Sequence, residues 1–222
     1  NLTSPDVISL HKELSNLKKK KIENILLEAS SHGLDQGRLN GLNIKAGIFT
    51  NFSQDHMDYH KSMKDYLRAK LLLFTKILKN NSYVITDESI PEFNLIKKII
   101  KKRKLRQKHI NFSKKNDYDF SNFKPIGRFQ KKNLLMAIKA CEVLGLNKKK
   151  VNKSISELKS VKGRLQLAKI FPDKTKVFID FAHTPDAIKT AIISLKTHYK
   201  KDVTIVFGCG GERDKNKRKK IG

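Results

Sequence analysis

Five short runs, 22–27 (IENILL), 46–50 (AGIFT), 83–86 (YVIT), 177–181 (VFIDF) and 203–207 (VTIVF), set the limits on what this chain can become. Each is four to six residues long, is rich in Ile, Val, Leu or Phe, and gives way to polar or glycine-rich sequence. Runs this short and this apolar fit strands buried on both faces of a sheet, and longer stretches with apolar residues at helical spacing lie between them. Strands alternating with helices predict an α/β fold built on a mainly parallel sheet flanked by helices. Hydrophobic residues at 38% and aromatics at 8% of 222 residues are enough for a core, which excludes wholesale disorder. No apolar run approaches the length that spans a bilayer, and no leader-like apolar segment follows Asn1. Cys141 and Cys209 stand apart with no CxxC pair, against a disulfide scaffold or a thiolate zinc site and in keeping with reduced thiols in the cytoplasm.

Helices are predicted between these runs. Ser4-Pro5-Asp6 reads as a cap, with proline at the first helical position, for a helix reaching about Leu17 on the spacing of Val7, Leu10, Leu14 and Leu17. Others are expected near 62–78, 94–104, 133–144 (closed by Gly145), 151–158 and 185–195. A change of composition near Val161-Lys162-Gly163 divides the chain into a region 1–161 and a region 162–222.

Ligands of parallel α/β sheets collect beyond the carboxyl ends of the strands. Three such ends carry polar clusters here: Glu28 to Gly33, Asn51 to His60, and Asp180 to Asp186. Glu28 and His56 are of the type that shares a hard cation such as Mg²⁺, and they are equally of the type that caps and turns the chain. Lys70 has Tyr66, Leu67, Leu73 and Phe74 three and four residues away, so it falls on the apolar face of its helix. Burial favours the neutral amine, and a neutral amine adds carbon dioxide to give a carbamate, an anionic metal ligand. A lysine in that position also snorkels, burying only its stem. The loop Gly208 to Gly211 lacks both common nucleotide fingerprints, and Arg213 beyond it is suited to hold a carboxylate in a bidentate pair.

In this order, LTSPD (2–6), EASSHGLDQGRLNG (28–41), FTNFSQDHMDYHKSMKDYLRAKLLLF (49–74), GRFQKKNLLMA (127–137), KGR (162–164), DFAHTPDA (180–187) and FGCGGERDKNKR (207–218) resemble the Mur ligases. These are ATP-dependent enzymes that add amino acids to the peptidoglycan precursor. The resemblance is greatest to the branch that adds a diamino acid to UDP-N-acetylmuramoyl-L-alanyl-D-glutamate. It implies a central ATP-binding domain over 1–161, lacking its ATP-loop part, and the start of a Rossmann-like C-terminal domain over 162–222. Thr3, Ser4, Ser30, Gln36 and Arg38 match positions that hold the UDP-muramoyl-dipeptide. Lys70 matches a carbamylated lysine which, with Glu28 and His56, would hold Mg²⁺ by the γ-phosphate. Asn133, Arg164 and Asp180 match contacts to ATP, and Arg213 matches an arginine that binds the diamino acid. The implied reaction phosphorylates the D-glutamyl carboxylate and then displaces phosphate with an amine.

The resemblance also implies a cytoplasmic monomer with neither nucleic acid nor membrane as partner. Meso-diaminopimelate is favoured as the added residue, with L-lysine, or another ligase of the superfamily, as the alternative. Neither the family's glycine-rich ATP loop nor its DNPR-type motif occurs in these residues, so the piece alone is expected to lack activity. Gln130 stands where asparagine is usual, and 88–126 is shorter than in the relatives. The charge is +27, from 48 Lys and Arg against 21 Asp and Glu. Such a charge suits a nucleic-acid binder, but no zinc-finger, RNP or helix-turn-helix pattern accompanies it. ATP and a UDP-sugar are themselves anionic, and such a field would draw them in.

Overall fold

The computed structural model describes residues 3–111, 118, 120–208 and 221, in two compact units. The first unit comprises 1–52 and 56–108, and the second 53–55 and 109–222.

In the first unit, helix α1 (Val7–Lys19) opens on Asp6, whose carboxylate accepts from the backbone N–H of Ile8 at 3.1 Å and of Ser9 at 2.9 Å. The expected cap at Ser4 is therefore displaced by two residues. Asp6 satisfies the orphan amides of the first turn, and Ser4 is committed elsewhere. A short helix α2 (Ser31–Asp35), which apolar periodicity does not reveal, is capped by Ser30. Strand β1 (Ala46–Phe49) pairs in parallel with β2 (Tyr83–Asp87), Ala46 opposite Tyr83 and Phe49 opposite Thr86. Between them comes α3 (Met63–Leu72), capped by Ser62 and continued by a π-helical turn, Leu73–Ile77. After β2, helix α4 (Phe93–Lys102) leads to a third strand, β3 (Arg106–Ile110), on the far side of β2.

That π turn brings Leu73 and Phe74 down onto β1. A Cβ built on Gly47 lies 3.0 Å from each of these side chains, so the strand accepts the turn only because it has no side chain there. Leu10, Leu34, Leu39, Phe49, Phe74, Leu78, Val84 and Ile96 are among the buried residues of the resulting core.

In the second unit, α5 (Arg128–Val143) and α6 (Lys148–Glu157) precede an antiparallel hairpin of β4 (Gln166–Ile170) and β5 (Lys176–Ile179). Asp173 shapes the hairpin turn by accepting from the Thr175 N–H and hydroxyl, both at 2.9 Å. Helix α7 (Pro185–Tyr199) begins with Pro185 at its start and Thr184 as cap, accepting from Ala187 N–H at 3.2 Å.

The structure departs from the expected strands in two places. Among the described residues, 22–27 and 203–207 join no sheet, and Leu26 and Val206 are 90% and 97% exposed. An apolar run marks side chains suited to burial, but a strand exists only with a hydrogen-bonded neighbour, which sequence periodicity does not specify. Among the described residues, no helix is long and apolar enough to cross a membrane.

Candidate active site

The turn between 28 and 38 folds back on the residues before α1. Ser4, buried although polar, donates its hydroxyl to the Glu28 carbonyl at 2.9 Å and is hydrogen-bonded to the Ser30 hydroxyl at 3.0 Å. Ser30 in turn accepts from the Gly33 N–H at 3.1 Å, capping α2. Arg38 donates from Nη1 to the Ser4 carbonyl at 2.7 Å and from Nη2 to Oε1 of Gln36. These bonds use two of the five donors a guanidinium carries, leaving others for an anion. Ser4, Ser30, Gln36 and Arg38 therefore form one connected network, with Thr3 exposed beside Ser4. No side chain can be added at Gly33, because a Cβ there would lie 2.7 Å from Ser4 Cβ.

An aromatic cluster adjoins α2. The His32 ring lies 4.0 Å from Tyr59, 5.0 Å from His56 and 5.6 Å from His60, centroid to centroid. His60 is buried, with Nε2 hydrogen-bonded to the Ser31 hydroxyl at 2.9 Å. Desolvation, reinforced by His32 and His56, holds its pKa below the ordinary imidazole value. Tyr66 is the hub of the far side: its ring lies 5.1 Å from His60 and 5.7 Å from His56, and the Lys70 ammonium sits 5.3 Å above it. Lys70 also lies 5.8 Å from the Phe49 ring. The helical spacing thus places Lys70 as expected, partly buried between two aromatic faces.

His56 has a backbone φ of +56°, a left-handed conformation that costs a non-glycine residue about 1 kcal/mol. The backbone closes there, with Tyr59 N–H and His60 N–H both donating to the His56 carbonyl, at 3.1 and 2.9 Å. Glu28 has an exposed side chain. Among the described residues, no group of three or more His, Cys, Asp or Glu side chains is gathered closely enough to hold a metal ion.

In the second unit, Asp180 accepts from two backbone amides, Leu165 N–H to one oxygen and Ala182 N–H to the other, each at 2.7 Å. Arg164 is exposed, with its guanidinium 5.9 Å from the Phe181 ring. Asn133 is exposed on α5, and Gln130, one turn earlier, donates to the Arg164 carbonyl at 3.3 Å. The loops 162–165 and 180–183 are thus bound together, and Asp180 is a backbone clamp whatever else it contacts. His183 Nε2 lies 3.3 Å from the Asp55 carboxylate, a pairing within the second unit that sequence alone does not reveal. Arg213 lies outside the described residues.

Asp35, Tyr59, His60 and Ser31 were not singled out individually by sequence. The repeated His and Tyr of HMDYH carried the only signal for two of them, because spacing in a loop does not reveal which neighbour a side chain meets.

Known proteins resemble the chain along its whole length. Residues 1–135 match the Mur ligase middle domain, and residues 163–222 match the Mur ligase, glutamate ligase domain. The chain belongs to the Mur ligase family. It is 38% identical over 244 aligned residues to the UDP-N-acetylmuramoyl-L-alanyl-D-glutamate--2,6-diaminopimelate ligase of Rickettsia conorii, covering 100% of this chain and 50% of that protein. The ligase of the same name from Wigglesworthia glossinidia brevipalpis is 37% identical, with 99% and 49% covered. A solved structure of a ligase with this name superposes with a TM-score of 0.68 at 28% identity, over 98% of this chain and 49% of that one. A solved mutant form of L. casei FPGS shares the fold, with a TM-score of 0.60 at 16% identity, over 82% and 49%. The chain thus spans about half the length of the curated relatives it matches.

Proposed function

We propose that the protein to which these residues belong is an ATP-dependent amide-bond ligase. It joins a diamino acid, meso-diaminopimelate rather than L-lysine, to the D-glutamyl carboxylate of UDP-N-acetylmuramoyl-L-alanyl-D-glutamate. The observation that carries this reading is the junction at α2. The helix cap and the residues after it bind Ser4, Ser30, Gln36 and Arg38 together, while His32 on the helix reaches the His56 side of the aromatic cluster. In this reading the acceptor-holding network and the proposed metal ligand His56 are linked through α2. The names of the relatives support the choice of acceptor and of diamino acid.

In this reading Thr3, Ser4, Ser30, Gln36 and Arg38 hold the UDP-muramoyl-dipeptide, with Arg38 supplying charge-assisted bonds to its anionic groups. Asn133, Arg164 and Asp180 face ATP, and Arg213 pairs with a carboxylate of the diamino acid. The donors Glu28, His56 and the carbamate of Lys70 are oxygen and nitrogen groups of the kind Mg²⁺ accepts. When bound, Mg²⁺ supplies charge stabilisation to the transferring phosphoryl group.

The D-glutamyl carboxylate attacks the γ-phosphorus of ATP, and the bond to the bridging oxygen breaks to release ADP. The amine of the diamino acid then attacks the acyl carbon, and phosphate leaves as the amide forms. Regions 1–161 and 162–222 serve as the central domain and the start of the C-terminal domain of a cytoplasmic monomer. The test is substrate dependence in the full-length protein: sustained phosphate release over many turnovers must require acceptor and diamino acid together, with meso-diaminopimelate turned over at least about tenfold more efficiently than L-lysine. Equal turnover with no acceptor present contradicts the reading.

A further inference from the structure

The network that gathers Ser4, Gln36 and Arg38 does not end at Gln36. Its side-chain amide Nε2 donates to the Tyr59 hydroxyl at 3.3 Å, and that hydroxyl donates its own proton to Oδ2 of Asp35 at 2.8 Å. Asp35 is exposed and its ionised carboxylate is an acceptor only. Tyr59 has a single proton, and once it is given to Asp35 the hydroxyl offers Gln36 lone pairs alone.

That leaves Gln36 one satisfactory orientation. An amide has a donor end and an acceptor end, and the two are not interchangeable here. The lone pairs of Tyr59 require the NH₂ end, and the Nη2 of Arg38, which has protons and no lone pairs, requires the carbonyl end. Reversing the amide would set NH₂ against the guanidinium and carbonyl oxygen against a hydroxyl with no proton to give. The order of donation therefore runs from Arg38 to Gln36 to Tyr59 to Asp35.

We propose that Tyr59 and Asp35 are positioning residues for the acceptor substrate: by fixing the Gln36 amide they hold the Arg38 guanidinium in the plane in which it meets the UDP-muramoyl-dipeptide. The proposal rests on the ligase reading above and deepens it. It divides the HMDYH block by task, His56 facing the Tyr66 and Lys70 side while Tyr59, three residues on, serves the acceptor side. Neither residue touches the reacting atoms.

The test is made in the full-length protein, with affinity for UDP-N-acetylmuramoyl-L-alanyl-D-glutamate measured by calorimetry. Tyr59→Phe removes only the hydroxyl at an exposed site, and its melting temperature checks that folding is intact. The account predicts that Tyr59→Phe weakens acceptor binding about five- to tenfold, with ATP affinity unchanged. Asp35→Ala, which frees the Tyr59 proton to compete with Arg38 for the Gln36 carbonyl, is predicted to weaken it in the same direction. In a Gln36→Glu background both oxygens accept, so Arg38 no longer depends on the lock and Tyr59→Phe should add less than about a twofold effect.

A role in packing alone would act equally in both backgrounds, and equal effects overturn the proposal. Unchanged acceptor affinity in Tyr59→Phe overturns it as well, with the ligase reading left standing. If the wild-type protein does not bind the acceptor, the ligase reading fails and the proposal fails with it.

Discussion

Lys70 shows how far a single residue is readable from sequence. Tyr66, Leu67, Leu73 and Phe74 at helical spacing place it on an apolar face, and the structure puts its ammonium 5.3 and 5.8 Å from two aromatic rings. Its proposed carbamate requires an amine that can be uncharged. Lys70→Arg keeps the positive charge but cannot carry carbon dioxide as a carbamate, so turnover should fall by at least about a hundredfold. Bicarbonate should fail to restore it, and unimpaired turnover in a steady-state assay would count against the carbamate. Asp173 offers a test of local electrostatics. Its bonds from the Thr175 N–H and hydroxyl hold its pKa below the ordinary carboxylate value. A depressed folded-state pKa means stability present above the unfolded value and lost as pH falls through the folded one. The Asp173 titration followed by NMR should therefore have its midpoint below that of an ordinary exposed aspartate, and the hairpin turn should loosen as pH falls through that midpoint. What sequence did not expose at this scale were pairings across loops. Asp55 with His183 and Tyr59 with Asp35 are separated by 128 and 24 residues, and no periodicity links them.

At the scale of elements, the runs at 46–50 and 83–86 and the helix after Ser62 were legible because burial and capping leave local signatures. The short α2 was not, because five residues hold too little of a helical period, and β3 (RQKHI) was not, because an edge strand with mostly exposed side chains has no apolar run. The segments 22–27 and 203–207 failed in the other direction: their composition is strand-like, yet among the described residues they have no sheet partner. The junction of β1 with the π turn makes a sharp prediction. Gly47→Ala places a methyl 3.0 Å from Leu73 and Phe74, within a core that has no room for it. A loss of about 1–3 kcal/mol is expected, visible in thermal or urea melts, whereas unchanged stability would mean that the turn gives way freely. Ser62→Ala removes the acceptor of Asp65 N–H at 3.1 Å and should cost about 1 kcal/mol in the same melts.

For the whole molecule, the charge of +27 was the feature whose meaning the sequence left most open. In the structure the basic run of α4 places Lys97, Lys98, Lys101 and Lys102 towards solvent, with Ile96 and Ile100 turned into the core. This is the arrangement of an ordinary amphipathic helix. The family was legible because seven strings occur in family order along most of the chain, and the structure brings four of the expected acceptor residues into one network. The central claim is that the D-glutamyl carboxylate is activated by phosphorylation, and the fate of its oxygen tests that claim most directly. UDP-N-acetylmuramoyl-L-alanyl-D-glutamate labelled with ¹⁸O in the reacting carboxylate, turned over by the full-length protein with ATP and meso-diaminopimelate, should deliver one labelled oxygen to each phosphate released. Ligated product accompanied by unlabelled phosphate would contradict the account.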